Sequence, residues 1–173
     1  MAIKRFVVSQ AVWGGILNAV LNGPPILIFL SEDTAWPLWR GFPSLVLDTL
    51  GMAFGIAWGI GWLNTLALRK QIASGKVIVA TELSAHWKRE LGKWPESAMH
   101  RGINLGGFAV LLFGLPATGL MFAAGVKSWG AWPIVVFHTV FGLVLGAVFT
   151  PVTAVGVVAE ERAVVEAVAP SEG

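Results

Sequence analysis

The sequence predicts an all-α membrane protein: a bundle of four transmembrane helices, with an amphipathic helix on the membrane surface in the loop between the second and third. Two observations carry this. The 173 residues are 55% hydrophobic and only 13% charged, with a mean hydropathy of +0.73, far from the ~25% charged residues of soluble domains. Four stretches also reach the roughly 20 apolar residues needed to cross ~30 Å of hydrocarbon. They run from Val8 to Leu30, Pro43 to Leu68, Ile103 to Ala124 and Trp132 to Val158, leaving a loop over 69–102 and a tail over 159–173, all in one transmembrane domain.

The first stretch is preceded only by Lys4 and Arg5, and its apolar run continues past Asn22-Gly23-Pro24 with no small-residue cleavage site, so it reads as an uncleaved anchor. Lys and Arg are retained on the cytoplasmic side. Arg69, Lys70, Lys76, Lys88, Arg89, Lys93 and Arg101 occupy the loop after the second span, whereas the other two loops hold only Arg40 and Lys127. Both termini are therefore expected in the cytoplasm. Trp36, Trp39, Trp129 and Trp132 then form an aromatic belt at the outer interface.

Within the basic loop, Leu83, Trp87, Leu91 and Trp94 recur at helical spacing beside Lys88 and Arg89, the pattern of a helix lying on the membrane. The formal charge of +2 and pI near 9.3 come from these flanking residues, which form no continuous basic stripe, so nucleic acid is not an expected partner. The bilayer is. With no cysteine, disulfides and thiolate chemistry are excluded.

Small residues spaced four apart let helices approach closely in lipid, where packing replaces the hydrophobic drive. Gly51, Gly55 and Gly59 on the second span, with Gly142 and Gly146 on the fourth, are expected to bring these two helices together. Gly14-Gly15 and Pro24 match Gly106-Gly107 and Pro116 at the same offset, and Asp48-Thr49 matches His138-Thr139, a pattern that two repeated hairpins would produce. Pro24 and Pro116 should kink or unwind the outer parts of their helices.

A charge inside a span is a functional hypothesis by default. Asp48 and His138 are the one carboxylate and the one histidine well inside the spans, each roughly 8–9 Å from the outer end at ~1.5 Å per residue. With Asn18, Asn22 and Thr139 they make a candidate polar cluster. It can be read as a structural pair, as a proton or solute site, or with His138 as a single ligand for a metal, haem or pigment. A bis-histidine haem is disfavoured because His100 lies at the opposite edge, ~20 Å away along the membrane normal. No catalytic signature such as GxSxG, a P-loop or HExxH occurs, so an enzyme is not expected.

Arg5-Phe6, Trp13-Gly14, Asn18, Asn22-Gly23, Pro37-Leu38-Trp39, Asp48-Thr49, Arg101-Gly102, Gly125-Val126, Phe137, Leu145-Gly146 and Thr150-Pro151, in that order, resemble a family of uncharacterised, permease-like bacterial four-helix inner-membrane proteins. The resemblance extends over most of the chain. It implies a bacterial inner membrane and a shared Asn/Asp polar set, and it supplies no activity. The chain departs from the pattern at His138, where the family tends to carry lysine. The leading expectation is a non-catalytic subunit that packs against a larger membrane complex or against itself, with bound lipid. A small transporter using the polar cluster, or a haem- or pigment-binding component using His138, are the alternatives.

Overall fold

A computed structural model describes residues 3–28, 30, 35–75 and 94–168, with side chains described between 5 and 160 of these. Helix α1 (Ile3–Asn22) ends at Gly23 and continues as a 3-10 turn, Pro24–Ile28. Strand β1 (Ala35–Pro37) leads to α2 (Leu45–Gly59), which passes through a π turn, Ile60–Asn64, into α3 (Thr65–Ala73). Helix α4 (Ala98–Ala109) passes through a second π turn, Val110–Gly114, into α5 (Leu115–Ala123). Strand β2 (Ser128–Gly130) precedes α6 (Ala131–Val168). These form four helices long and apolar enough to cross a membrane: Arg5–Ile28, Leu45–Ala73, Ala98–Ala123 and Ala131–Glu160. The all-α bundle is thus observed. The expected tail begins as an uninterrupted extension of α6. Of the expected surface helix, Leu83, Trp87, Lys88, Arg89 and Leu91 lie outside the described residues.

Which helices touch differs from the expectation. A methyl group added at Gly51, Gly55 or Gly59 would meet nothing within 4 Å, so this stripe does not face the fourth span. Gly142 and Gly146 do sit at a close crossing, but against the first span. A Cβ at Gly142 would lie 2.8 Å from the Asn18 carbonyl oxygen, and one at Gly146 would strike the Gly14 carbonyl. From the other side, a Cβ on Gly15 would lie 3.1 Å from the Leu143 carbonyl oxygen.

The second span uses its other face. Ala53, Ala57 and Gly61 are buried and also spaced four apart, and an added Cβ at Gly61 would lie 2.7 Å from Gly102 Cα on α4. Two residues along an α-helix is a rotation of about 200°, so this stripe points away from Gly51, Gly55 and Gly59. Alanine is also small enough to let helices pack closely, and here the buried stripe combines two alanines with a glycine at its tightest point.

The close pairs are therefore first with fourth and second with third. Between them Leu105, Phe141, Leu145 and Phe149 form a core with Phe113 and Phe137, including an edge-on Phe113–Phe149 contact at 5.7 Å and a stacked Phe137–Phe141 contact at 5.0 Å. The π turns also fall in the second and third spans, not at the positions a repeat matching first with third would give. Each wide turn has a local counterpart. Thr65 Oγ1 donates to the Gly61 carbonyl at 2.6 Å. The other turn precedes Pro116, whose ring lacks an N–H and would press on the carbonyl four residues back in a regular helix.

At one end the connections between the first and second spans and between the third and fourth pair as antiparallel strands, with Trp36 opposite Trp129. Leu38 N–H extends the pairing to the Lys127 carbonyl at 2.9 Å. Trp36, Leu38, Leu45, Met121 and Ile134 pack beneath this small sheet. Gly125, at φ +69°, lets the chain leave α5 in a left-handed turn that L side chains rarely adopt. Only Trp39 and Trp132 of the expected belt are widely exposed, because Trp36 is buried under the sheet.

Candidate functional site

Asp48 lies in the first turn of α2, capped by Ser44, whose hydroxyl accepts the Leu47 N–H at 3.4 Å. A carboxylate there meets the positive end of the helix dipole. His138 lies two turns into α6, buried to 4% exposure. Nε2 of His138 lies 2.6 Å from Asp48 Oδ2, a short hydrogen bond between the two side chains. Trp36 and Phe137 meet the imidazole edge-on at 6.4 and 6.2 Å. This pair fastens the second span to the fourth below the two-stranded sheet.

The other polar residues do not join it. Asn18 Nδ2 donates to the Gly14 carbonyl and Asn22 Nδ2 to the Asn18 carbonyl, both at 2.8 Å within α1. Thr139 Oγ1 donates to Val135 O at 2.8 Å and faces Gly23, where a Cβ would strike it. Sequence depth places Asp48 and His138 at one level and groups their polar neighbours with them, but adjacent residues of a helix point about 100° apart, so His138 faces the second span and Thr139 the first. A histidine whose Nε2 is held by Asp48 and whose faces are flanked by aromatic rings is poorly placed to ligate a haem or pigment through that nitrogen. Among the described residues, no three His, Cys, Asp or Glu side chains come together as a metal site.

Asn18 and Asn22 instead line a groove of about 710 Å³ between the first and second spans. One wall is the open stripe Gly51, Gly55 and Gly59; the other carries Gln10, Trp13, Leu17, Asn18, Leu21 and Asn22, and Asn64 lies on its floor. Gln10 to Asn22 covers about 18 Å along α1 at ~1.5 Å per residue, so the groove runs through most of the bilayer. Asn64 Nδ2 reaches the Thr150 carbonyl at 3.4 Å across its base.

The opposite end of the bundle holds a network that the sequence reading did not assemble. Glu160 Oε1 accepts from Arg69 Nη2 at 2.6 Å, and Oε2 accepts from Arg101 Nη2 at 2.9 Å. The backbone carbonyls of Glu96 and Pro95 accept from the same two nitrogens at 2.7 and 3.1 Å. The available signal was one carboxylate closing the fourth span level with an arginine at each end of the basic loop.

No protein-family model, curated protein or solved structure matches the chain. The class defined by the fold is a multi-pass helical membrane protein.

The Asp48–His138 bond makes a direct prediction. Asp48→Asn and His138→Ala should each lower stability in detergent by about 1–3 kcal/mol, the cost of leaving a buried polar group without its hydrogen-bond partner. The double variant should cost clearly less than the sum, with about 0.5–3 kcal/mol of coupling. Additive losses in denaturant unfolding would show that the two side chains act independently.

Proposed function

We propose that this chain is a non-catalytic subunit of the bacterial inner membrane, with both termini cytoplasmic, that seats a transmembrane helix of another subunit in the groove between its first and second spans. The observation that carries this is the unfilled stripe Gly51, Gly55 and Gly59. At the close crossings of this chain, small residues spaced four apart are buried in the contact, as at Gly142–Gly146 and Ala53–Ala57–Gly61, with Gly142, Gly146 and Gly61 against the neighbouring backbone. The one such stripe without a neighbour among the described glycines lies open to lipid.

The amides of Gln10, Asn18, Asn22 and Asn64 argue for a protein occupant over acyl chains, because polar groups facing hydrocarbon are costly and a helix can offer them donors and acceptors. The orientation follows the distribution of Lys and Arg, and the bacterial setting is what the resemblance implies. The same amides favour a second reading, a small-solute path along the groove. Asp48 and His138 do not line it, so this path would not use their charge.

Purification from native membranes in mild detergent, followed by native mass spectrometry, tests the reading. A stoichiometric partner chain is expected, and Gly55→Phe should reduce its recovery at least tenfold while leaving helix content and thermal midpoint unchanged. A wild-type chain recovered alone as a monomer, or full partner recovery with Gly55→Phe, would overturn it. A dimer lost in Gly55→Phe would replace the foreign subunit with a second copy. A visible absorption band in the purified material would favour the pigment reading.

A further inference from the structure

Arg101 is the largest fully buried side chain among the described residues, at 2% exposure. Its five N–H groups are unevenly used. Among the described residues, Nη2 serves both Glu160 and the Pro95 carbonyl, whereas Nε and Nη1 have no partner and no contact with solvent. An arginine in this position has a clear cost: unmade hydrogen bonds of a charged group in a low-dielectric setting are among the most expensive features a fold can keep. Glu160 does not relieve it, because that carboxylate is divided between Arg101 and Arg69.

Beside Arg101 is a cavity of about 220 Å³, bounded by Trp94, Pro95, Arg101, Asn104, Leu105 and Phe108. That is several times the ~30 Å³ share of one water in the liquid. Trp94 lies over the guanidinium, 5.7 Å from its ring centre to Cζ, and forms part of both the cavity wall and the cover over the arginine. Asn104, three residues after Arg101 and so on the same side of α4, adds an exposed amide. The cavity lies along one face of α4, where the third span begins. Beyond it the helix surface is exposed and apolar through Phe108, Leu111, Leu112 and Leu115.

We propose that this cavity binds a phosphate group, supplied by the headgroup of an anionic phospholipid whose acyl chains lie along Phe108, Leu111, Leu112 and Leu115. The phosphate oxygens accept from the unpaired N–H groups of Arg101 once the Trp94 ring swings off the guanidinium, and from the Asn104 amide. The apolar surface running from the cavity favours a lipid over free phosphate, since only a lipid covers both parts of the site. The Glu160 carboxylate, held by two guanidiniums, is the one negative group in the network described.

The test uses the full chain in zwitterionic detergent, with native mass spectrometry and thermal unfolding in three arms: phosphatidylglycerol, phosphatidylcholine and inorganic phosphate. Phosphatidylglycerol should be retained at least tenfold over phosphatidylcholine. Arg101→Lys, which keeps the charge facing Glu160 but removes the other N–H groups, should reduce that retention at least fivefold. Asn104→Leu, on an exposed position, should reduce it about threefold with unchanged circular dichroism, and it decides the matter if Arg101→Lys does not fold. Equal retention of the two lipids, or wild-type retention by the folded variants, overturns the site. Stabilisation by inorganic phosphate equal to that by phosphatidylglycerol overturns the lipid as the source and supports the phosphate site itself.

Discussion

Glu160→Gln is expected to destabilise the protein more than any other single polar substitution, by about 3 kcal/mol, measured as the shift in denaturant unfolding in detergent. Breaking a buried ion pair by removing one partner costs roughly 3–5 kcal/mol, because the other charge is left uncompensated. The lower end applies because the Glu160 side chain is 23% exposed while Arg101 is 2% exposed. The loss should come mainly through Arg101. The double variant Arg101→Met, Glu160→Gln should recover much of it, since an apolar side chain of similar length removes both the stranded charge and its unpaired N–H groups. A double variant less stable than Glu160→Gln alone would show that Arg101 contributes to stability independently of the carboxylate.

Gly146→Leu should have an effect of similar size and a different origin. The crossing of the first and fourth spans is backbone against backbone: Cβ atoms on Gly146, Gly142 and Gly15 would each meet a main-chain carbonyl of the partner helix. A flexible side chain could turn aside, but a helix must move as a body, and overpacking costs reach about 3 kcal/mol even where side chains can adjust. The cost is sharpened in lipid, where helix association depends on close packing and interhelical hydrogen bonds. Gly55→Leu is the matched control, because nothing lies within 4 Å of an added Cβ there. Equal unfolding midpoints for the two variants would show that the first–fourth crossing does not hold the bundle.

The two substitutions differ in how visible their sites were. Gly146 was legible as a packing residue, since a small residue in an apolar span has few other uses, but its partner was not. The period of a helix says which residues share a face; it does not say which neighbouring helix that face meets. The second span carries two small-residue stripes, Gly51–Gly55–Gly59 and Ala53–Ala57–Gly61, and their local sequence gives no reason to bury the second and leave the first open.

Asp48 and His138 were legible for a stronger reason. Ionisable side chains are rare in spans and must find partners, and two of opposite type at equal depth have few choices. The depth count could not separate His138 from Thr139, one residue apart and facing different helices. Glu160 and Arg101 failed for the opposite reason: both lie near the ends of apolar spans, where charges are common, and only the folded bundle shows that one of them is buried.

By itself, the sequence determined the number of spanning helices, their approximate limits and the intramembrane Asp48 and His138 that had to be paired, because hydrocarbon penalises every unpaired polar group and charge along the chain wherever it lies. Only the tertiary structure decided that first pairs with fourth and second with third, that one glycine stripe remains open, and that Arg69, Arg101 and Glu160 meet. Those outcomes depend on how side-chain shapes from distant segments fit, as the phenylalanines between the two helix pairs do, and such fits carry no local signature.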